Sequence, residues 1–180
     1  LTERASAQSH FLDLCELVGH AKPAELDPTG SFFTFEKNLG KSGGGSGFAD
    51  VWYKGHFAWE YKKPGENLEK AYRQLKLYAE ALENPPLLIV SDTQRIEIHT
   101  NWTNSASKTF AIDLGDLTDP DAYRRLRAAF FDPESLKPRQ DREDVTKDAA
   151  ARFGGIAREF YTRAIPPNQV AHFLVQILFC

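Results

Sequence analysis

The chain has 180 residues, of which 42% are hydrophobic and 26% are charged, and its formal net charge is −3. Such a chain can form one ordinary globular domain without disulfides or a structural metal, with some length left over. No apolar run reaches the ~18 residues of a membrane helix, and charges interrupt the first twenty residues, so we expect no membrane span and no secretion signal. Two distant cysteines favour a reduced protein, and we predict a cytoplasmic one.

Positive charge is concentrated in one part of this acidic chain. Between Lys37 and Lys76 there are eight basic and four acidic residues, a local charge of +4. The overall charge argues against binding nucleic acid by bulk electrostatics, whereas the local excess predicts a place where a polyanion binds. A solvated charged surface with no ligand is the alternative interpretation.

The first half of the chain alternates helical and strand patterns. Apolar residues recur at helical spacing over residues 2–18, and Gly19 stands where that helix would end. Aromatic and polar residues alternate over 31–39, as in a strand. Residues 40–47 contain five glycines and predict a loop, which is no Walker loop because Lys41 and Ser42 precede most of the glycines. Two aromatic-rich runs around Gly55, at 48–54 and 56–62, predict a tight hairpin.

The second half adds further strands and helices. The patterns predict a helix at 66–83, strands at 87–90, 95–100 and 108–114, and a helix at 121–131. Residues 132–146 have the composition of a linker, and two helices follow at 147–163 and 167–180. The last helix ends on an apolar face without a polar tail, so we expect that the chain is part of a longer protein.

The hairpin holds the residues that suggest chemistry. If its strands are symmetric about Gly55, Asp50 lies across from Glu60 with Cβ atoms about 5 Å apart, and Lys62 shares their face. The opposite face is strongly apolar and suited to the core; it carries Val51, Tyr53, Phe57, Trp59 and Tyr61.

Two facing carboxylates repel, and a divalent cation would resolve that repulsion. Mg²⁺ accepts one or two carboxylates together with waters and substrate phosphates. We therefore predict a Mg²⁺ site at Asp50 and Glu60, with the main-chain carbonyl of Tyr61 as a further ligand and with Mn²⁺ able to substitute. Lys62 beside the ion can orient a water for phosphodiester hydrolysis.

This arrangement resembles a known nuclease signature. Asp50, nine residues, and then Glu60-Tyr61-Lys62 is similar to the PD-(D/E)xK motif, with Ala49 in place of the motif's proline. The resemblance implies an α/β restriction-endonuclease-like fold, in which helices flank a mixed central sheet. Asp50, Glu60 and Lys62 would then be catalytic.

Gln74 and Tyr78 lie one helical turn apart on the helix after the hairpin. They resemble the QxxxY element of RecB-like nucleases, where such residues help to position water and substrate, and the resemblance adds both to the catalytic set. A surface amide and a partly buried tyrosine are the alternative interpretation.

A longer resemblance covers most of the chain. The stretches 3–11, 48–62, 84–88 and 165–180 are similar to the amino-terminal part of MmeI-type restriction-modification proteins. Those proteins join a nuclease domain, a helical connector, an adenine-N6 DNA methyltransferase and a target-recognition domain. The resemblance implies an endonuclease domain at 1–135 and the start of a connector at 136–180, in a bacterial or archaeal cytoplasm.

Methylation itself cannot be assigned to this chain. Asn84-Pro85-Pro86-Leu87 lacks the aromatic residue of a methyltransferase motif, so S-adenosylmethionine would act only through absent downstream domains. The leading hypothesis is a Mg²⁺-dependent type II endonuclease domain that acts on double-stranded DNA, as a transient dimer if both strands are cut. Lys41, Ser42 and Lys63 are its candidate DNA contacts. The alternative is an inactive nuclease-fold module that binds the DNA backbone or docks onto a methyltransferase.

Overall fold

The computed structural model describes residues 3–39, 47–103, 105–138, 142–163 and 166–178. Its helices and strands, in chain order, are α1 (Glu3–Val18), α2 (Pro23–Leu26), β1 (Phe33–Leu39), β2 (Gly47–Tyr53), β3 (Phe57–Tyr61), α3 (Leu68–Tyr78), β4 (Leu87–Ser91), β5 (Arg95–Thr100), β6 (Thr109–Asp113), α4 (Pro120–Phe131), α5 (Arg142–Thr162) and α6 (Pro167–Leu178). This order confirms the predicted α/β class.

The six strands form one mixed sheet in the order β1-β2-β3-β4-β5-β6. Neighbouring strands are antiparallel except β3 and β4, which are parallel and are joined through α3. A parallel pair needs such a crossover, because a tight turn can connect only antiparallel strands. All five residues of β4 are buried, as the continuous apolar run predicted.

One face of the sheet packs against α1 and α4. Phe11, Leu14, Cys15 and Val18 of α1 are buried there because they recur at helical spacing, and Gly19, at φ 72°, ends that helix. The strand residues of this face form the apolar set that the hairpin pattern predicted. Val51, Phe57, Trp59 and Tyr61 belong to this core, and Tyr53 packs against it.

The opposite face packs against α3 and forms a second, smaller core. Leu68, Ala71 and Leu75 of α3 are buried against Trp52 and Ala58 of the hairpin. Asn67 caps the helix by accepting a hydrogen bond from the Lys70 N–H at 3.2 Å. The hairpin is therefore covered on both faces, and the face that carries the acidic residues is not open sheet.

One predicted helix and the predicted linker differ in part from the structure. The helix predicted at 66–83 spans only Leu68–Tyr78, because from Ala79 onwards the chain forms turns, with the Ala79 N–H donating to the carbonyl of Lys76. These turns end where Glu83 and Asn84 adopt positive φ. The stretch 132–146, predicted as a linker, contains the division between the two compact units at residues 138 and 139, but parts of it are structured. Residues 133–136 form a 3₁₀ turn whose Leu136 joins the first core, and α5 begins at Arg142.

The chain divides into two compact units, Leu1–Pro138 and Arg139–Cys180. The first unit holds the sheet and helices α1 to α4. In the second unit, Phe160 of α5 packs edge-to-face on Phe173 of α6, with ring centroids 5.3 Å apart. No helix among the described residues is long and apolar enough to span a membrane.

Candidate active site

Asp50 lies where the pairing of the central strands is interrupted. The β2–β3 ladder has the predicted register, pairing Val51 with Trp59 and Tyr53 with Phe57, and the pairing ends at Val51 and Trp59. Beyond that pair, the Asp50 side chain takes the place of a backbone acceptor: its Oδ2 accepts a hydrogen bond from the Tyr61 N–H at 2.7 Å. The expected direct pairing of Asp50 with Glu60 thus gives way to a side-chain bridge, which avoids placing two like charges face to face.

Glu60 is a buried carboxylate with an unpaired oxygen. The residue is 7% exposed, and its Oε1 accepts a hydrogen bond from the Lys62 Nζ at 2.8 Å. Its Oε2 is buried and has no hydrogen-bond partner among the residues that the structure describes. Burial, followed by the negative charge of Asp50, raises the pKa of Glu60 from an ordinary 4.5 to about 7, although Lys62 opposes the shift. The two carboxylates are therefore electrostatically coupled.

Lys62 links the acidic pair to the neighbouring strand. Its N–H donates to the Ser91 carbonyl at 2.8 Å, which extends the pairing of β3 with β4 by one residue. Burial alone would lower the pKa of the Lys62 ammonium, but the hydrogen bond and charge of Glu60 outweigh that effect and raise it. Lys62 is thus a cation held beside a carboxylate.

Two surface clefts meet at Lys62. On the α3 side, Lys62 and Gln74 line one cleft together with Glu66, Asn67 and Lys70. On the α1 side, Lys62, Tyr61 and Lys63 line another with Ser6, Ala7, Pro64 and Thr93. Both clefts give access to the lysine of the predicted site.

The remaining predicted site residues lie in different surroundings. Gln74 lines the cleft beside Lys62, whereas Tyr78, one turn further, packs against the second core. Lys63 is exposed. Lys41 and Ser42 lie outside the described residues, so their assignment as DNA contacts stays a prediction.

The donor set fits a hard divalent cation. No protein group among the described residues satisfies the unpaired oxygen of Glu60, and the neighbouring charge of Asp50 helps to raise the pKa of Glu60. Within the described part of the chain no cluster of three or more His, Cys, Asp or Glu could hold a metal. Two carboxylates without further acidic or histidine ligands match Mg²⁺, which keeps waters and phosphates as its other ligands.

Two acidic residues near the site were missed from the sequence. Glu36 of β1 is opposite Asp50 in register and has φ 56°. Its carboxylate forms an ion pair with Arg4 and accepts a hydrogen bond from Gln8, both on α1. Nothing in the strand pattern indicates this contact with α1. A small pocket between these residues also reaches Asp50 and Tyr61.

Asp92 anchors the loop that follows Lys62. It is 9% exposed, and its carboxylate accepts hydrogen bonds from the N–H groups of Gly65 and Arg95. These bonds tie the start of the loop to the β4–β5 turn. A charged residue directly after a fully buried strand was the signal that could have identified it.

With this geometry in place, comparison with known protein families gives one result: residues 1–162 match the family described as MmeI, N-terminal domain. The chain belongs to the MmeI N-terminal domain family. This membership confirms the predicted resemblance to MmeI-type enzymes and groups the chain with restriction enzymes. No curated protein and no solved structure matches it significantly. Because the family match includes most of α5, it runs past the predicted boundary at residue 135, and the functional division there stays a prediction.

Proposed function

We propose that this MmeI N-terminal domain is a Mg²⁺-dependent endonuclease domain that hydrolyses phosphodiester bonds of double-stranded DNA. The proposal depends mainly on one observation: Glu60 is buried with an unpaired oxygen, is coupled to Asp50, and is bonded to Lys62. A domain that needed only a stable fold gains nothing from this group, because a buried carboxylate with an unsatisfied oxygen beside a second carboxylate is costly. Family membership supports the proposal, since restriction enzymes in general depend on Mg²⁺.

In this proposal the carboxylates of Asp50 and Glu60 and the main-chain carbonyl of Tyr61 hold the ion. A bound Mg²⁺ supplies positive charge that stabilises the charge developing on the phosphate. The hydrogen bond from the Tyr61 N–H to Asp50 fixes one carboxylate relative to the β3 backbone. The site is therefore held by the strands themselves and not by mobile side chains alone.

Lys62 is assigned to the attacking water and to the charge of the transition state. Its ammonium is held within 2.8 Å of Glu60 and faces two clefts, so it can reach both the metal ligands and a phosphate. Gln74 shares one of those clefts and is assigned to orienting the water or the phosphate, with Tyr78 supporting it from the next turn. Lys63 contacts the DNA backbone.

Target choice is assigned to other parts of a longer polypeptide. A local charge of +4 supports only weak, salt-sensitive DNA binding, which carries no sequence information. In an MmeI-type enzyme, methyltransferase and target-recognition domains would supply recognition and bind S-adenosylmethionine. Cutting both strands would bring two such domains together transiently.

A nicking assay on plasmid DNA tests the proposed activity. We expect Mg²⁺-dependent nicking by the 180-residue chain and at least a 100-fold lower rate for Lys62→Ala, because its charge acts on the reaction path. Lys62→Ala should retain Mg²⁺ binding in calorimetry. Asp50→Ala should lose both Mg²⁺ binding and nicking.

Lys54→Ala is the matched control. Lys54 lies at the hairpin turn and is ion-paired with Glu83 on the surface, so its loss should change the nicking rate less than 2-fold. Nicking by Lys62→Ala at the parental rate would overturn the nuclease assignment. An inactive parental chain that still binds DNA would favour the non-catalytic module.

A further inference from the structure

The cleft on the α3 side of Lys62 extends beyond the residues assigned to chemistry. It has a volume of about 390 Å³ and is lined by Lys62, Glu66, Asn67, Lys70 and Gln74. Lys62 and Gln74 already belong to the proposed site. The other three residues come from the first turn of α3 and the segment before it, and they place a polar surface directly beside Lys62.

Lys70 is held in this cleft by the start of α3. Its backbone N–H is bonded to the Asn67 side chain, which fixes the first turn of the helix. Lys70 and Gln74 are four residues apart, so they lie on the same helix face. The lysine therefore projects along the side of the cleft that Gln74 shares.

The charges of the cleft give Lys70 a specific role. The ammonium of Lys62 is engaged with Glu60, and Glu66 adds a carboxylate to the cleft wall. Lys70 is exposed, and its ammonium forms no ion pair or hydrogen bond with any of the described residues. It is thus a second cation of this cleft, and its charge is available to a phosphate other than the one at Lys62.

We infer that Lys70 is a substrate-binding residue that contacts a backbone phosphate of the cleaved strand next to the scissile one. This inference rests on the proposed nuclease function, because it places the scissile phosphate at Lys62. A contact outside the reacting atoms binds substrate and transition state equally, so its loss should raise KM and leave kcat nearly unchanged.

Lys70→Ala is tested with binding and cleavage measured separately. Binding is followed by fluorescence anisotropy with a labelled DNA duplex in metal-free buffer at several salt concentrations. We expect Lys70→Ala to raise Kd about 3- to 10-fold and to reduce the slope of log K against log salt by about 1, as for one lost phosphate contact. Lys70→Arg should restore both values. In the cleavage assay KM should rise by a similar factor while kcat changes less than 2-fold.

Arg73→Ala is the matched control on the same helix. Arg73 lies outside the cleft and is ion-paired with Glu69, so its removal changes the net charge equally but should alter Kd less than 2-fold. Glu66→Gln removes the carboxylate from the cleft wall and should tighten binding about 2- to 3-fold.

The outcomes separate this inference from the function on which it rests. Equal effects of Lys70→Ala and Arg73→Ala on Kd and salt slope would overturn the Lys70 contact, because bulk charge would then explain the binding. A loss of kcat at unchanged KM would overturn its assignment to substrate binding. Parental cleavage by Lys62→Ala would instead overturn the nuclease assignment, whatever the Lys70 variants do.

Discussion

Two buried carboxylates of the same unit, Asp27 and Glu60, have opposite surroundings. Asp27 is 4% exposed and accepts hydrogen bonds from the N–H groups of Phe32 and Phe33 and from the hydroxyls of Thr29 and Ser31. Burial alone would raise the pKa of Asp27, but these bonds outweigh it and hold the pKa well below its usual range. Glu60, at 7% exposed, has one cation and one unpaired oxygen.

The difference shows what each carboxylate contributes. Asp27 closes the loop before β1 by satisfying backbone donors, so its charge stabilises the fold. Glu60 is raised in pKa by burial and by Asp50, so its charged form destabilises the metal-free fold. Burial by itself therefore does not distinguish a structural carboxylate from a functional one, whereas the number of hydrogen-bond donors around it does.

The largest effect expected from this comparison is a loss of stability with rising pH in the metal-free protein. The pKa of Glu60 is about 7 when folded and an ordinary 4.5 when unfolded. Its contribution is therefore fully present below pH 4.5 and is lost as pH rises through 7, by roughly 3 kcal/mol in total. Chemical denaturation at pH 5 and pH 8 in the presence of EDTA measures this loss as a difference in the free energy of unfolding.

Glu60→Gln sharpens this measurement. The amide cannot ionise, so the variant should lose the fall in stability between pH 5 and 8 and should exceed the parental stability at pH 8. Lys54→Ala serves as the control, because it changes the charge of the hairpin outside the site. Burial lowers the pKa values of His10, His20 and His99, so these groups oppose the fall equally in both proteins, and the difference in unfolding free energy between the parent and Glu60→Gln is the decisive quantity. A difference that stays level from pH 5 to pH 8 would show that Glu60 is not held in its uncharged form.

Asp27→Asn should have the opposite pH dependence and a smaller effect. The substitution turns one acceptor oxygen into a donor that faces the Phe32 and Phe33 N–H groups, so we expect the melting temperature at pH 7 to fall by about 4 °C. Because the folded pKa of Asp27 is depressed, its stabilisation is present above the unfolded pKa and is lost as pH falls. The deficit of the variant should therefore shrink in acid, and a deficit that grows in acid would contradict this account.

Local patterns in the sequence predicted the hairpin well. Gly55 has φ 73° at the turn, and the pairs of β2 with β3 follow the register that symmetry about this glycine predicts. The alternation of aromatic residues correctly assigned Val51 and Trp59 to the core face. These features are local, because a turn type and a two-residue period determine them.

The surroundings of the acidic residues depended on contacts that no local pattern encodes. Helix α3 covers the sheet face that carries Glu60, and burial raises the pKa of this carboxylate. The bond from the Tyr61 N–H to Asp50 forms because β2 and β3 separate just where their two acidic side chains would meet. The contact of Glu36 with Arg4 and Gln8 joins segments about 30 residues apart. These three features are determined by tertiary packing and not by local sequence.

Helix α3 also carries one side chain that faces the site and one that packs in the core. Substitutions at these two positions have the smallest expected effects on the nicking rate. Gln74 lines the cleft beside Lys62, and Tyr78 packs against the second core. We expect Gln74→Ala to lower the nicking rate about 5-fold with an unchanged melting temperature, because one orienting hydrogen bond is worth about 1 kcal/mol. Tyr78→Phe keeps the packed ring and should change the rate less than 2-fold, whereas Tyr78→Ala should lower the melting temperature.

Equal rate losses for Gln74→Ala and Tyr78→Phe at unchanged melting temperature would contradict this division. The tyrosine hydroxyl would then also take part at the site, and the two residues would act as one element.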